Sequence, residues 1–132
     1  MPDISDAREN FSTVNVTLTT TSETVIISSG VATVTRPVVR ALVLAFAQLT
    51  TGAGTTGVTK RIRRGTLTTD TLIGEANDEP VKAVAGSTEE FYIMVAETLT
   101  DLVEVQYSLT LSQTAATGNG TALQAGILVL IL

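Results

Sequence analysis

The sequence predicts an antiparallel jelly-roll β-sandwich, and three observations carry that prediction. Thr is the commonest residue and stands among abundant Val, Ile and Leu. That mixture favours extended backbone, because β-branched side chains lose less freedom on a pleated surface than in a helix. From Thr13 onward, short strand-like runs are separated by Gly, Ser, Asn, Asp and Pro, with no amphipathic helix to serve as a crossover. The 132 residues fit one domain that can enclose a core without staples. About eight to ten such strands pack as two sheets face to face.

Taken in order, residues 1–12 carry Asp3, Asp6, Arg8, Glu9 and Phe11 with little apolar content, and read as a mobile or partner-bound arm. The expected division is therefore an arm over 1–12 and a sandwich over 13–132. Val14, Val16 and Leu18 alternate with Asn15, Thr17 and Thr19, which gives a half-buried first strand. Val25, Ile26 and Ile27 form the next, turned at Ser28-Ser29-Gly30. Val31 to Thr35 continues it, and Pro37 marks an edge or a strand start because it lacks an N–H.

Val38 to Leu49 places Leu42, Leu44 and Phe46 on one face and Ala41, Val43, Ala45 and Ala47 on the other. The apolar run alone also fits a helix, but the period-two alternation in size and the Thr/Gly-rich exit favour a strand. The large residues are expected to fill the core and the small ones to allow a partner's close approach. Thr50 to Gly57 reads as a loop. Val58 to Arg64, Thr71 to Ala76, Pro80 to Ala85 and Glu89 to Glu97 read as further strands. Leu102 to Ser112 alternates apolar Val103, Val105, Tyr107, Leu109 and Leu111 with polar residues, the form of a strand wet on one side.

Thr114 to Gly120 reads as a turn before the last strand, Thr121 to Leu132. Its end, Gly126 to Leu132, is uniformly apolar, with Ile127, Val129 and Ile131 on one face and Leu128, Leu130 and Leu132 on the other. Either its own chain covers both faces, or one face needs a partner. The second reading assigns Ala41, Val43, Ala45, Ala47, Ile127, Val129 and Ile131 to a subunit interface.

Composition narrows the chemistry. The chain has no Cys and no His, so it has no disulfide, no thiolate and no imidazole to shuttle protons or bind metal. A net charge of −5 argues against a nucleic-acid partner, whose phosphates need surplus Lys and Arg. The last strand is far short of the ~20 apolar residues of a membrane-spanning helix. Residues 1–12 lack the basic-then-apolar form of a signal peptide, so synthesis in the cytoplasm is expected. Charged residues make up 16% of the chain, against roughly 25% in an average globular protein, which points to surface covered by neighbours.

Several motifs have plainer readings than the chemistry their letters suggest. Gly52-Ala53-Gly54-Thr55-Thr56-Gly57 has the letters of a dinucleotide loop, but the following Val58 to Arg64 reads as a strand, where the motif must open a helix. A hairpin loop is the reading kept. Lys60, Arg61, Arg63 and Arg64 hold half of the eight positive charges. On a strand they divide between two faces, which suits ion pairing between subunits better than a phosphate track. The acidic arm with Asp3, Asp6 and Glu9 is their expected partner. Glu89 and Glu90 project to opposite faces and spoil an acid/base pair. Glu75, Asp78 and Glu79 match no EF-hand spacing, so a solvated acidic turn is preferred to a calcium site. No cofactor, metal or catalytic residue is expected, and the chain reads as not an enzyme.

The strand order, the run Val103-Glu104-Val105-Gln106-Tyr107-Ser108-Leu109-Thr110-Leu111, the loop Ala115 to Thr121 and the apolar last strand together resemble small jelly-roll virion proteins of tailed bacteriophages. These are similar in plan to tumour-necrosis-factor-like trimers. The resemblance implies a capsid decoration or cement protein: a homotrimer on the virion surface that binds the major capsid protein through a terminal arm. The competing reading is a receptor- or glycan-binding head domain of a fibre, with recognition on the loops Thr50 to Gly57 and Thr114 to Gly120. A cupin-type enzyme is disfavoured by the missing imidazole ligands.

Overall fold

The computed structural model describes residues 4–19, 21–52, 57–77, 86–100, 104–114 and 119–132. Ten strands run through them: β1 (Asp6–Leu18), β2 (Thr24–Ser28), β3 (Ala32–Thr33), β4 (Val38–Thr50), β5 (Val58–Arg64), β6 (Thr71–Asn77), β7 (Thr88–Thr100), β8 (Glu104–Val105), β9 (Tyr107–Gln113) and β10 (Gly120–Ile131). All pairings are antiparallel, and the described residues contain no helix. Sheet I has the order β1-β10-β4-β7 and sheet II the order β2-β9-β5-β6, with β3 and β8 as a small ribbon. The chain passes back and forth between the two sheets, so the predicted all-β jelly roll is the fold observed.

Register holds the pattern in place. β4 pairs with β7 over their whole lengths, from Val38↔Thr100 to Thr50↔Thr88, with no bulge. A one-residue slip would turn every side chain to the wrong face, so the strong alternation of β4 specifies this pairing. β1 carries a bulge between Thr13 and Val16, where Asn15 takes a φ of 51°. Asn tolerates that left-handed conformation better than other non-glycine residues.

The core reverses the expected polarity of sheet I. Ala41, Val43, Ala45 and Ala47 are at most 5% exposed, and Ile127, Val129 and Ile131 are fully buried, all within one chain's core. None of these seven is available to a second subunit. Their small size on β4 is explained from the other side of the sandwich, where sheet II contributes the buried bulk of Tyr107, Leu109, Leu111 and Ile62. Large residues facing small ones fill the space between sheets at crystal-like density.

The arm is also corrected. β1 starts at Asp6 and pairs with β10 from Asp6↔Ile131 to Leu18↔Gly120, so Asp6, Arg8, Glu9 and Phe11 belong to the sandwich. A boundary between residues 12 and 13 falls inside a strand. Charge in this stretch reflects an edge strand, which native sheets protect with charged side chains.

The strand expected over Leu102 to Ser112 is interrupted at Gln106, whose Nε2 donates to the Ser29 carbonyl at 2.7 Å; β8 pairs with β3 and β9 with β2 and β5. Over β9 its polar face is not wet. Ser108, Thr110 and Ser112 are buried. Asp3, Asp78, Glu79, the strand expected over 80–85, and most of the loops at 53–56 and 115–118 lie outside the described residues.

A candidate assembly face on sheet I

With the small residues of β4 turned inward, the large ones face outward. Cross-strand register arranges them in rows. Phe11, Gly126, Phe46 and Tyr92 lie side by side across β1, β10, β4 and β7. The next row is Glu9, Leu128, Leu44 and Met94, and the one after it Ala7, Leu130, Leu42 and Ala96. Tyr92 is 61%, Met94 66%, Phe11 53% and Leu44 36% exposed. Three neighbouring rows on four strands therefore present an almost continuous apolar face. Leu42, Phe46, Leu128 and Leu130 are only half-buried by one another.

The aromatic row is built around a glycine. A Cβ at position 126 would lie 2.2 Å from Phe11 Cδ1 and 2.3 Å from Phe46 Cε1. Both rings thus close over the bare backbone of β10, with centroids 5.9 Å apart, and Phe46 stacks on Tyr92 at 6.1 Å. These separations fall in the range of favourable aromatic pairs. A shallow open depression of about 340 Å³ beside the rings is lined by Phe11, Ser12, Thr13, Phe46, Gln124 and Ala125. The Tyr92 hydroxyl donates to Glu90, and that bond raises the phenol's pKa.

The basic cluster lies elsewhere and pairs within the chain. Arg61 and Arg63 point out from sheet II. Arg63 grips Glu23 with two nitrogens and donates to the Asp70 carbonyl at 2.8 Å. Arg61 donates to Glu75 at 2.7 Å and Ser112 at 2.9 Å, and lies 3.4 Å from Glu23. Thr110 also donates to Glu23, at 2.7 Å. This grid covers the polar face of β9 and explains its burial. Burial pushes the Glu23 carboxyl up, but the bonds from Arg63 and Thr110 and the charge of both arginines outweigh it and hold the pKa below its ordinary value.

Arg64 joins the two sheets, donating to both oxygens of Glu97 at 2.9 and 3.0 Å, while the buried Tyr107 hydroxyl donates to the same carboxylate at 2.6 Å. Lys60 pairs with Leu111 on the inner face and is buried and engaged. The expected pairing with the acidic arm is therefore not what Arg61, Arg63 and Arg64 do. Asp6 instead accepts from the backbone of Thr33 and Ala7 and from Arg8. Intrachain carboxylates, Glu23, Glu75 and Glu97, take the arginines, and sequence alone could not have chosen them because they sit 14 to 40 positions away.

The outward residues Leu42, Leu44, Phe46, Leu128, Leu130, Tyr92 and Met94 form the candidate face that sequence reasoning did not assign. The available signal was the presence of two apolar faces on both β4 and β10.

No protein-family model matches the chain, and no curated protein matches it in sequence. Among solved structures, the chain is similar to an Eiger TNF from S. frugiperda, at a TM-score of 0.60 and 10% identity over 96% of this chain and 91% of that one. It is similar to a chain of infectious bursal disease virus, Gt strain, at a TM-score of 0.59 and 8% identity, and to the VP2 subviral particle of that virus at 0.55 and 9%. Either match covers 98% of this chain but 34% of the viral one, so the chain spans about a third of the capsid protein's length. At these identities the likeness is one of fold: a tumour-necrosis-factor-like jelly roll that viral capsid domains share.

Proposed function

We propose that the chain is a structural virion protein, without enzymatic activity, that forms a homotrimer through the outer face of sheet I and decorates a capsid shell by binding the major capsid protein. The observation that carries self-association is the apolar face spanning all four strands. Its exposed area is on the order of several hundred Å², as large as the biggest patches that monomers leave open. Covering about 500 Å² per chain would contribute roughly 12 kcal/mol gross, which competes with association costs of about 4 to 15 kcal/mol. Coverage of nearly the whole face is therefore required, and a partner that touches one row does not suffice.

Three copies is the number implied by the resemblance to trimeric jelly-roll decoration proteins. The virion assignment is supported by the fold shared with capsid domains, and the net charge of −5 fits a protein that binds neither nucleic acid nor membrane. Mass spectrometry of purified virus particles tests this reading. The chain is expected among the particle proteins at a fixed ratio to the major capsid protein; particles that lack it would refute the assignment. Self-association is checked separately with Met94→Asp, which is expected to yield a folded monomer.

A further inference from the structure

The outer face of sheet I carries two charges that have no partner among the described residues. Glu9 lies on edge strand β1 opposite Leu128. Arg40 lies on β4 and exchanges backbone hydrogen bonds with Leu132. Both are exposed, and neither side chain has a hydrogen-bond or ion-pair partner among the described residues. The arginines of sheet II are all engaged, and Glu90, the other acid on this face, is held by Tyr92.

Glu9 and Arg40 cannot meet within one chain. β10 separates their strands, and their partners on it, Leu128 and Leu132, are two rows apart, which puts them about 16 Å from each other. They stand on different margins of the same apolar patch. In a closed threefold ring each copy meets one neighbour with one margin of the face and the other neighbour with a different margin, so unlike charges on two margins of one chain are complementary between successive copies.

Resting on the assembly reading above, we propose that Glu9 of one copy pairs with Arg40 of the next, so that the partner on this face is a second copy of this chain in a set orientation. The apolar rows supply the contact area. The charge pair selects the register and disfavours rotated or slipped arrangements, in which one of the two groups would be covered without a counter-charge.

The chain has no Cys, so engineered thiols report cleanly. A disulfide needs Cα atoms within about 7 Å, which excludes an intrachain link between the two positions. The double variant Glu9→Cys/Arg40→Cys, oxidised in solution and run on a non-reducing gel, is expected to give covalent oligomers, while each single variant runs as one chain. No linkage in a double variant that retains the assembled solution mass overturns the pair and leaves the face reading intact. Linkage in the Glu9→Cys single variant overturns it as well, by placing like positions together. A monomeric wild-type protein overturns both readings.

If the double cysteine variant fails to assemble, charge reversal decides. Glu9→Lys and Arg40→Glu are each expected to weaken association about tenfold, and their combination to restore it to within about threefold of wild type. Failure of the combination to restore association overturns the pair.

Discussion

Gly126 is the residue on which the aromatic row depends, since a methyl group there would enter the space of both Phe11 and Phe46. Gly126→Ala is expected to leave the sandwich folded, because the rings can swing outward, but to weaken association by displacing them. Circular dichroism together with solution mass separates the two effects. Glu23 offers a test on the opposite sheet. Glu23→Gln keeps the shape and removes the charge that holds Arg63 and Arg61, with an expected loss of about 1 to 2 kcal/mol in denaturant titrations at neutral pH. The folded-state pKa of Glu23 is lowered from 4.5, so its contribution is present at neutral pH and is lost as pH falls below that value. The variant should therefore show a flatter acid limb than wild type. For Tyr107, burial first and the bond to Glu97 second raise the phenol far above its ordinary 10.0. The unfolded chain ionises first, so that stability is intact below pH 10 and falls as pH rises above it. Tyr107→Phe should blunt this alkaline loss. None of these partners could be read from the sequence, because Glu23, Glu97 and Gly126 acquire their neighbours only through strand pairing.

β4 and β10 show how much periodicity conveys. Alternation in size correctly marked Val38 to Leu49 as a strand, and the turn-rich spacing correctly gave a jelly roll. Period two states that a strand has two faces, but not which one meets the other sheet. The expectation that bulk seeks the core failed on β4, because the opposing sheet already supplies Tyr107, Leu109 and Leu111, leaving room only for Ala and Val. Paired substitutions check this assignment. Ala45→Leu overfills the core and is expected to cost about 1 to 3 kcal/mol of folding stability, whereas Leu44→Ala should change association more than it changes unfolding. The reverse outcome would restore the polarity expected from size alone. β1 failed for a related reason. Charge without apolar content reads as an arm, yet an edge strand beside an apolar central strand needs only its backbone to pair, and at the sheet margin β1 carries Asp6 and Arg8 on one face and Glu9 on the other.

Taken as a whole, the molecule has one sandwich face sealed by an Arg–Glu grid and the other left apolar. Sheet II buries its polar strand β9 beneath Glu23, Arg61 and Arg63 and offers no unpaired charge from that cluster. Sheet I exposes aromatic and aliphatic rows that a lone chain would carry as an aggregation hazard. This asymmetry is the physical basis for the assembled state proposed above. The most direct test is the absolute solution mass of the purified protein by light scattering at low and high salt. Three times the 13.8 kDa chain mass, retained at high salt because apolar burial dominates, is the predicted result; a stable 13.8 kDa monomer would contradict it.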